Sequence, residues 1–305
     1  MSPRALPYIS LLGLLFGSTL VVSRFSVAQF QPLTYIGLRL SLAGACHGFI
    51  YLVAKGRQLP KSRYLWQHAA VLGIFATAIP MTALVSSLQF QSSGVTAMLI
   101  TTGPALTVLM AHFLLPDEAL TWRKSLGVLL ALSGAVFLAV RGESGLPNID
   151  RANPIGYFLV LGAMVSSSAS TVYARKTMRD LDTFDVASVR MWVAALTIVP
   201  LSLLLVGFDL SQVNSQGYGA LMYAAFVGTF AGMLLAFHNI QRFGATASAI
   251  TAYTIPIVAT LGGVLLLGET ITRDMAIGMG LIVVGVAIIN QRSPLVQQQT
   301  STPPG

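Results

Sequence analysis

Apolar residues in this chain come in long unbroken runs, separated by short segments that collect Pro, Gly and charge. A helix needs roughly 20 mostly apolar residues to cross the hydrocarbon core of a bilayer. The runs at 7–28, 33–54, 67–88, 94–115, 123–141, 155–174, 184–207, 217–239, 245–267 and 274–291 meet or approach that length. The pattern therefore predicts an all-α integral membrane protein of ten spans. Lipid, rather than water, is the solvent for most of its surface.

Composition agrees. Only 9% of the 305 residues are charged and 54% are hydrophobic, with a mean hydropathy of +0.74. A water-soluble domain carries about 25% charged residues. The net charge of +8 comes from bases lying between the apolar runs, where they meet anionic lipid heads. No basic face with interleaved aromatics is present, so nucleic acid is not an expected partner. The single cysteine, Cys46, sits inside an apolar run. An intrachain disulfide and CxxC chemistry are excluded, and neither a metal nor a cofactor is expected.

Lys and Arg also give an orientation. With the N-terminus cytoplasmic, the inner loops hold Arg4, Lys55, Arg57, Lys61, Arg63, Arg123, Lys124, Arg175, Lys176, Arg179, Arg242 and Arg292. The outer side holds only Arg141, Arg151 and Arg273. Both termini are thus expected in the cytoplasm, which requires an even number of spans. The run after Arg4 is read as an uncleaved first helix, and the polar tail 293–305 as disordered.

Self-comparison exposes a repeat. When Gln89–Arg141 is set beside Gln241–Arg292, Pro104 falls on Pro256, Ala97 on Ala249 and Thr96 on Ser248. After one gap Glu118 falls on Glu269, Gly127 on Gly278, Gly134 on Gly285 and Arg141 on Arg292. Upstream, Arg39 matches Arg190. The organisation expected is a first unit over 1–142, a linker over 143–154 and a second unit over 155–292. Five spans per unit is an odd number, so the two units are inverted relative to each other. Inverted repeats suit alternating access, since two near-equivalent packings can open to opposite sides.

Two copies of a five-helix unit resemble the EamA type of the drug/metabolite transporter superfamily. The marks are a Pro in the fourth helix of each copy, an acidic turn before the fifth, and an Arg early in the second. They are Pro104 with Asp117-Glu118, Pro256 with Gly268-Glu269, and Arg39 with Arg190. The first turn departs from the pattern, reading Pro116-Asp-Glu rather than Gly-Glu. The resemblance implies a cavity lined mainly by helices 1, 3, 4, 6, 8 and 9. Helices 5 and 10 would be peripheral and available for homodimer contacts. It also implies export of an amino acid or similar metabolite across the cell inner membrane, with vitamin uptake on the same fold as the alternative. A channel, a scaffold and an intramembrane enzyme are the rivals from other classes. No HExxH, GxSxG or P-loop motif supports an enzyme.

The candidate substrate-binding residues are polar positions on the expected cavity helices: Ser18, Thr82, Ser86, Thr101, Thr102, Ser167, Ser170, His238, Asn239, Tyr253 and Thr254. Ser and Thr also serve as hydrogen-bonding glue between helices. Arg24, Arg39 and Arg190 are the cations inside spans. Burying an unpaired arginine costs at least ~2.5 kcal/mol on insertion scales. Arg24 and Arg39 are expected to snorkel from helix ends, and Arg190 to pair with Asp182 or Asp185. The functional alternative is that one of them, Arg39 first, holds a substrate carboxylate through its planar fork. Pro104 and Pro256 are candidate hinges, since each removes a backbone donor. All ten carboxylates fall in loops or at helix ends. That argues against coupling through a titrating mid-membrane acid and favours facilitated flux or coupling through histidine.

Overall fold

The computed structural model describes residues 5–290, apart from 55, 117, 148, 150, 179 and 249–250; the side chains of 237, 240, 241 and 244–248 are also left undescribed. Arg4, Lys55, Arg179, Arg292, Asp117, Asp150, Ala249 and the tail 293–305 therefore lie outside the described residues, as do the side chain of Ser248 and its match to Thr96. Every regular element among the described residues is helical. The helices are α1 Leu6–Ser26, α2 Pro32–Val53, α3 Arg63–Ser87, α4 Ser93–Leu114, α5 Trp122–Arg141, α6 Pro154–Thr177 and α7 Thr183–Val206. They continue with α8, whose apolar part is Ser215–Ala236, then α9 Thr251–Leu267 and α10 Arg273–Asn290. Nine of these are long and apolar enough to cross a membrane, and α9 is a shorter apolar helix. The boundaries differ from expectation most at α8 and α9: helix runs on from Gly232 as far as Ser248.

The helix starts follow from side-chain caps, which satisfy backbone N–H groups that a new helix leaves unpaired. Ser92 accepts from Val95 N–H and Thr121 from Lys124 N–H. Asn153, Asp182 and Asn214 open α6, α7 and α8 in the same way. At the other ends, Gly142 and Gly207 take left-handed backbone with φ of 69° and 76°, terminating α5 and α7 where a side chain would be strained.

The packing obeys an exchange of the two units. α1 packs on α9 as α6 packs on α4; α2 packs on α7 and α5 on α10, each against its own counterpart. The α5–α10 contact is made by the matched glycines. A Cβ on Gly127 would meet the Gly285 carbonyl at 2.6 Å, and one on Gly134 would meet the Gly278 carbonyl at 2.8 Å. Backbones approach this closely only where side chains are absent. Gly13 and Gly17 do the same for α1 against Thr254 and Val258 of α9.

Two features were not expected from the sequence. α3 is π-helical over Ile74–Ala78, and α8 over Tyr223–Ala231. These are corresponding helices of the two units. α4 is also interrupted: helix runs to Ile100, turns at Thr101-Thr102 and resumes at Gly103.

Candidate solute cavity and its arginine–threonine pair

In a π-helical turn the backbone bonds one residue further along than in an α-helix, which opens the ladder locally. Thr229 uses that opening in α8. Its hydroxyl donates to the Ala224 carbonyl at 3.0 Å and accepts from Arg39 Nε of α2 at 2.7 Å. The other unit builds the same arrangement. Thr77 donates to the Leu72 carbonyl at 3.5 Å and accepts from Arg190 Nε of α7. Thr77 and Thr229 stand 152 positions apart, the spacing of Pro104 and Pro256. Each arginine thus reaches from the second helix of one unit into the π-helical segment of the other.

Neither Arg39 nor Arg190 takes the place expected from sequence. Arg39 does not snorkel: it is 7% exposed, and its Nη1 donates to Ser23 Oγ at 3.3 Å. Arg190 does not pair with Asp182 or Asp185. Its Nη2 donates to the Ala76 carbonyl at 2.9 Å, while Arg57 takes both aspartates at 3.3 and 3.4 Å. Arg57, between α2 and α3, sits nearer the aspartates at the start of α7, and Tyr51 donates to Asp185 at 2.5 Å as well.

Arg39 lines a cavity of about 250 Å³. Its walls come from α1, α2, α3, α4, α8 and α9, so both units contribute. The lining is mostly apolar (Phe16, Leu20, Met81, Leu84, Met233 and Ile255 among others), with Thr19, Ser23, Arg39 and Thr229 as its polar members. α2 takes part through Arg39, whereas α6, expected among the cavity helices, does not reach it.

Of the candidate residues, Arg39 is the one on this wall. Thr102 lines an apolar groove between α4, α5 and α6. Ser170 lies on a recess between α3 and α6 with Phe75 and Tyr173. His238 faces a polar recess with Arg57 and Asp182, its ring 5.6 Å from that of Tyr8. Ser18 bonds Tyr223 at 2.8 Å, and Thr101 donates to Ala97 and Ala252 carbonyls. Asn239 donates to the Tyr8 carbonyl at 3.2 Å and Asn290 to Tyr253 at 3.0 Å. Thr254 packs on Gly13. Thr82 Oγ1 is buried without a hydrogen-bond partner among the described residues. Ser86 and Ser167 are half-buried. Sequence reasoning missed Thr229; the 152-residue offset from Thr77 was the signal that finds it.

The paired acidic turns behave differently. Glu269 is 5% exposed. Its carboxylate accepts from Ser93 N–H at 2.8 Å, Ser93 Oγ at 2.7 Å and Gly94 N–H at 3.4 Å, closing the N-terminus of α4. Glu118 instead binds Arg175 of α6 and Lys124 of α5. Arg175, then Lys124, hold its carboxyl below the usual range.

A model of the EamA-like transporter family matches residues 4–140 and again 154–291. The chain belongs to the EamA-like transporter family. Relatives that span nearly its whole length carry transporter names. The inner membrane transporter YedA of Escherichia coli, described as uncharacterized, is 27% identical, covering 91% of this chain and 88% of its own. The uncharacterized transporter YoaV of Bacillus subtilis is 24% identical, covering 90% and 92%. An uncharacterized transporter of Archaeoglobus fulgidus is 23% identical, covering 90% and 94%. A protein crystal structure shares the fold, with a TM-score of 0.65 at 20% identity, over 96% of this chain and 98% of that one. This EamA-like chain is a multi-pass membrane protein of transporter type, and the twofold family match falls on the two five-helix units described above.

Proposed function

We propose that this transporter moves a small organic metabolite, an amino acid or similar neutral or zwitterionic solute, outward across the cell inner membrane by alternating access. The observation that carries the reading is the cavity walled by helices of both units. Two inverted units offer two near-equivalent packings, and a solute held between them can be exposed to either side in turn. A mostly apolar wall with a few hydroxyls and one cation suits a partly apolar small molecule. Both termini lie in the cytoplasm on this reading, as the loop charges favour.

Flux runs down the solute gradient or couples through histidine. Glu269, the buried carboxylate at the start of α4, is spent on two backbone N–H groups and the Ser93 hydroxyl. His47, 1% exposed, bonds Ser188 across α2 and α7. Pro104 acts as a hinge because it lies two residues past the interruption in α4. Pro104→Ala is expected to slow transport more than it lowers abundance, measured as initial flux per unit of purified protein. The decisive experiment is counterflow in proteoliposomes with a solute chosen by thermal-shift screening. Saturable counterflow is the expected result. Non-saturable leak, or none, removes the carrier reading. An imposed pH gradient that drives flux after every histidine is replaced contradicts the coupling scheme.

A further inference from the structure

We propose that the cavity takes a carboxylate-bearing solute by its anionic end, with Arg39 as the clamp and the apolar body lying against Phe16, Met81 and Met233. The inference rests on the transport reading and moves its substrate class from the neutral or zwitterionic solute to the organic monoanion.

Arg39 is almost wholly buried, and the described residues that share its wall include no Asp or Glu. Among the described residues the ion pairs are made by Arg57, Lys124, Arg141 and Arg175, and Arg39 is in none of them. Its immediate partners are hydroxyls, Thr229 and Ser23, with Tyr35 beside it. Hydroxyl dipoles orient a guanidinium but leave its full charge without a counter-charge. A cation at this depth is costly unless it is paired or faces water. The cavity supplies the place for the missing partner, and a solute carboxylate supplies the charge.

The geometry suits a carboxylate better than a neutral group. A guanidinium presents five N–H donors in a planar fork, more than these contacts take up. Thr229 holds Nε from a π-helical turn and Ser23 holds Nη1 from α1, so the plane of the fork is fixed from two helices before a ligand arrives. A planar carboxylate matches two parallel N–H groups of such a fork. With no acid among the described residues of the wall, an ammonium group on the solute has no carboxylate to meet there. Among amino acids and related metabolites the site therefore prefers the organic monoanion to the zwitterion or the cation. The related arginine of the other unit makes the same threonine contact and differs in what its remaining donors meet. Arg190 spends Nη2 on a backbone carbonyl and does not line this cavity.

The test uses the full chain purified in detergent. Thermal shift is measured against straight-chain and phenyl-substituted monocarboxylates, each beside its carboxamide and its matching alkyl phosphate. At least one acid is expected to raise the unfolding temperature at concentrations where its amide and phosphate do not. Arg39→Lys keeps the charge and loses the fork, and should weaken that acid about tenfold or more. Arg39→Gln should abolish its effect. Thr229→Val tests positioning: the apparent affinity falls while the preference of acid over amide persists. If the Arg39 variants do not fold, the acid–amide comparison on the unaltered protein decides. Amides as effective as acids, a preference for phosphates, or an acid effect unchanged in both Arg39 variants would overturn the clamp. Counterflow of neutral solutes indifferent to carboxylates overturns the clamp and leaves transport standing. Acids that bind through Arg39 without any counterflow do the reverse.

Discussion

Glu118 and Glu269 occupy the same place in the two repeats and do different work. Glu269 is folded under the start of α4 and satisfies two backbone N–H groups and a hydroxyl. Glu118 lies in a partly exposed turn, tied to Arg175 and Lys124. The turn before each explains the difference. Gly268 has φ of 66°, a left-handed conformation that only glycine adopts without strain. It lets the chain turn back so that Glu269 N–H reaches the Gly263 carbonyl at 3.1 Å and the side chain points at α4. The first turn carries Pro116 and no glycine, and its acid reaches bases instead. Elsewhere the repeats keep their correspondence: the arginine–threonine pairs and the α5–α10 glycines are built twice by one rule. One glycine is enough to give a duplicated acid two different roles.

Breaking the buried cap should have the largest effect. Glu269→Ala strands the Ser93 and Gly94 donors in a dry environment, and unsatisfied buried groups cost about 1–3 kcal/mol. A clear fall in unfolding temperature in detergent is expected, with Glu269→Gln intermediate. An unchanged temperature would mean the cap carries no stability. Next comes Gly268→Ala, which forces a Cβ into left-handed backbone at about 1–2 kcal/mol. It should mimic part of the Glu269→Ala loss, and the two substitutions together should cost less than their sum, because both act on one contact. Additive losses would separate the glycine from the cap.

Glu118→Gln should have the smallest effect, under about 1 kcal/mol, since partly exposed ion pairs are screened by solvent. Its sign with pH is set by the depressed carboxyl. The contribution is complete above the ordinary carboxylate range and is lost as pH falls through the lowered value in the folded state. Thermal unfolding followed from neutral to acid pH should therefore show the variant and the unaltered protein converging at low pH. A gap that widens with acid would contradict the pairing.

Most of the fold was legible in the sequence because a bilayer allows few solutions. Unbroken apolar runs leave only helices, and matched Pro, Glu, Gly and Arg residues mark a duplication that apolar similarity alone would not. The glycines at 127, 134, 278 and 285 are visible as matched positions, and the structure adds that they meet in swapped pairs, 127 on 285 and 134 on 278. The cavity was less legible. Polar residues on a membrane helix bond to their own backbone or to a neighbouring helix as readily as they face a solute, and Ser18, Thr101 and Tyr253 do so here. The walls are Leu, Met and Phe, which carry no mark distinguishing a cavity from a core or from lipid. The π-helical turns depend on packing rather than on a local signal. They set the reach of Thr77 and Thr229, so nearness in sequence points Arg190 to Asp182 and Asp185 whereas its partner lies on α3.

Whether the cavity is the solute path is tested most directly by its accessibility. Met81, on the cavity wall, is replaced by Cys in a Cys46→Ser background, in right-side-out and inverted membrane vesicles. A membrane-impermeant maleimide is then applied from outside. Labelling is expected in both vesicle types, at different rates, and slowed by any solute that supports counterflow. Labelling in one type alone, or in neither, with no protection by such a solute, would contradict a path between the two repeats.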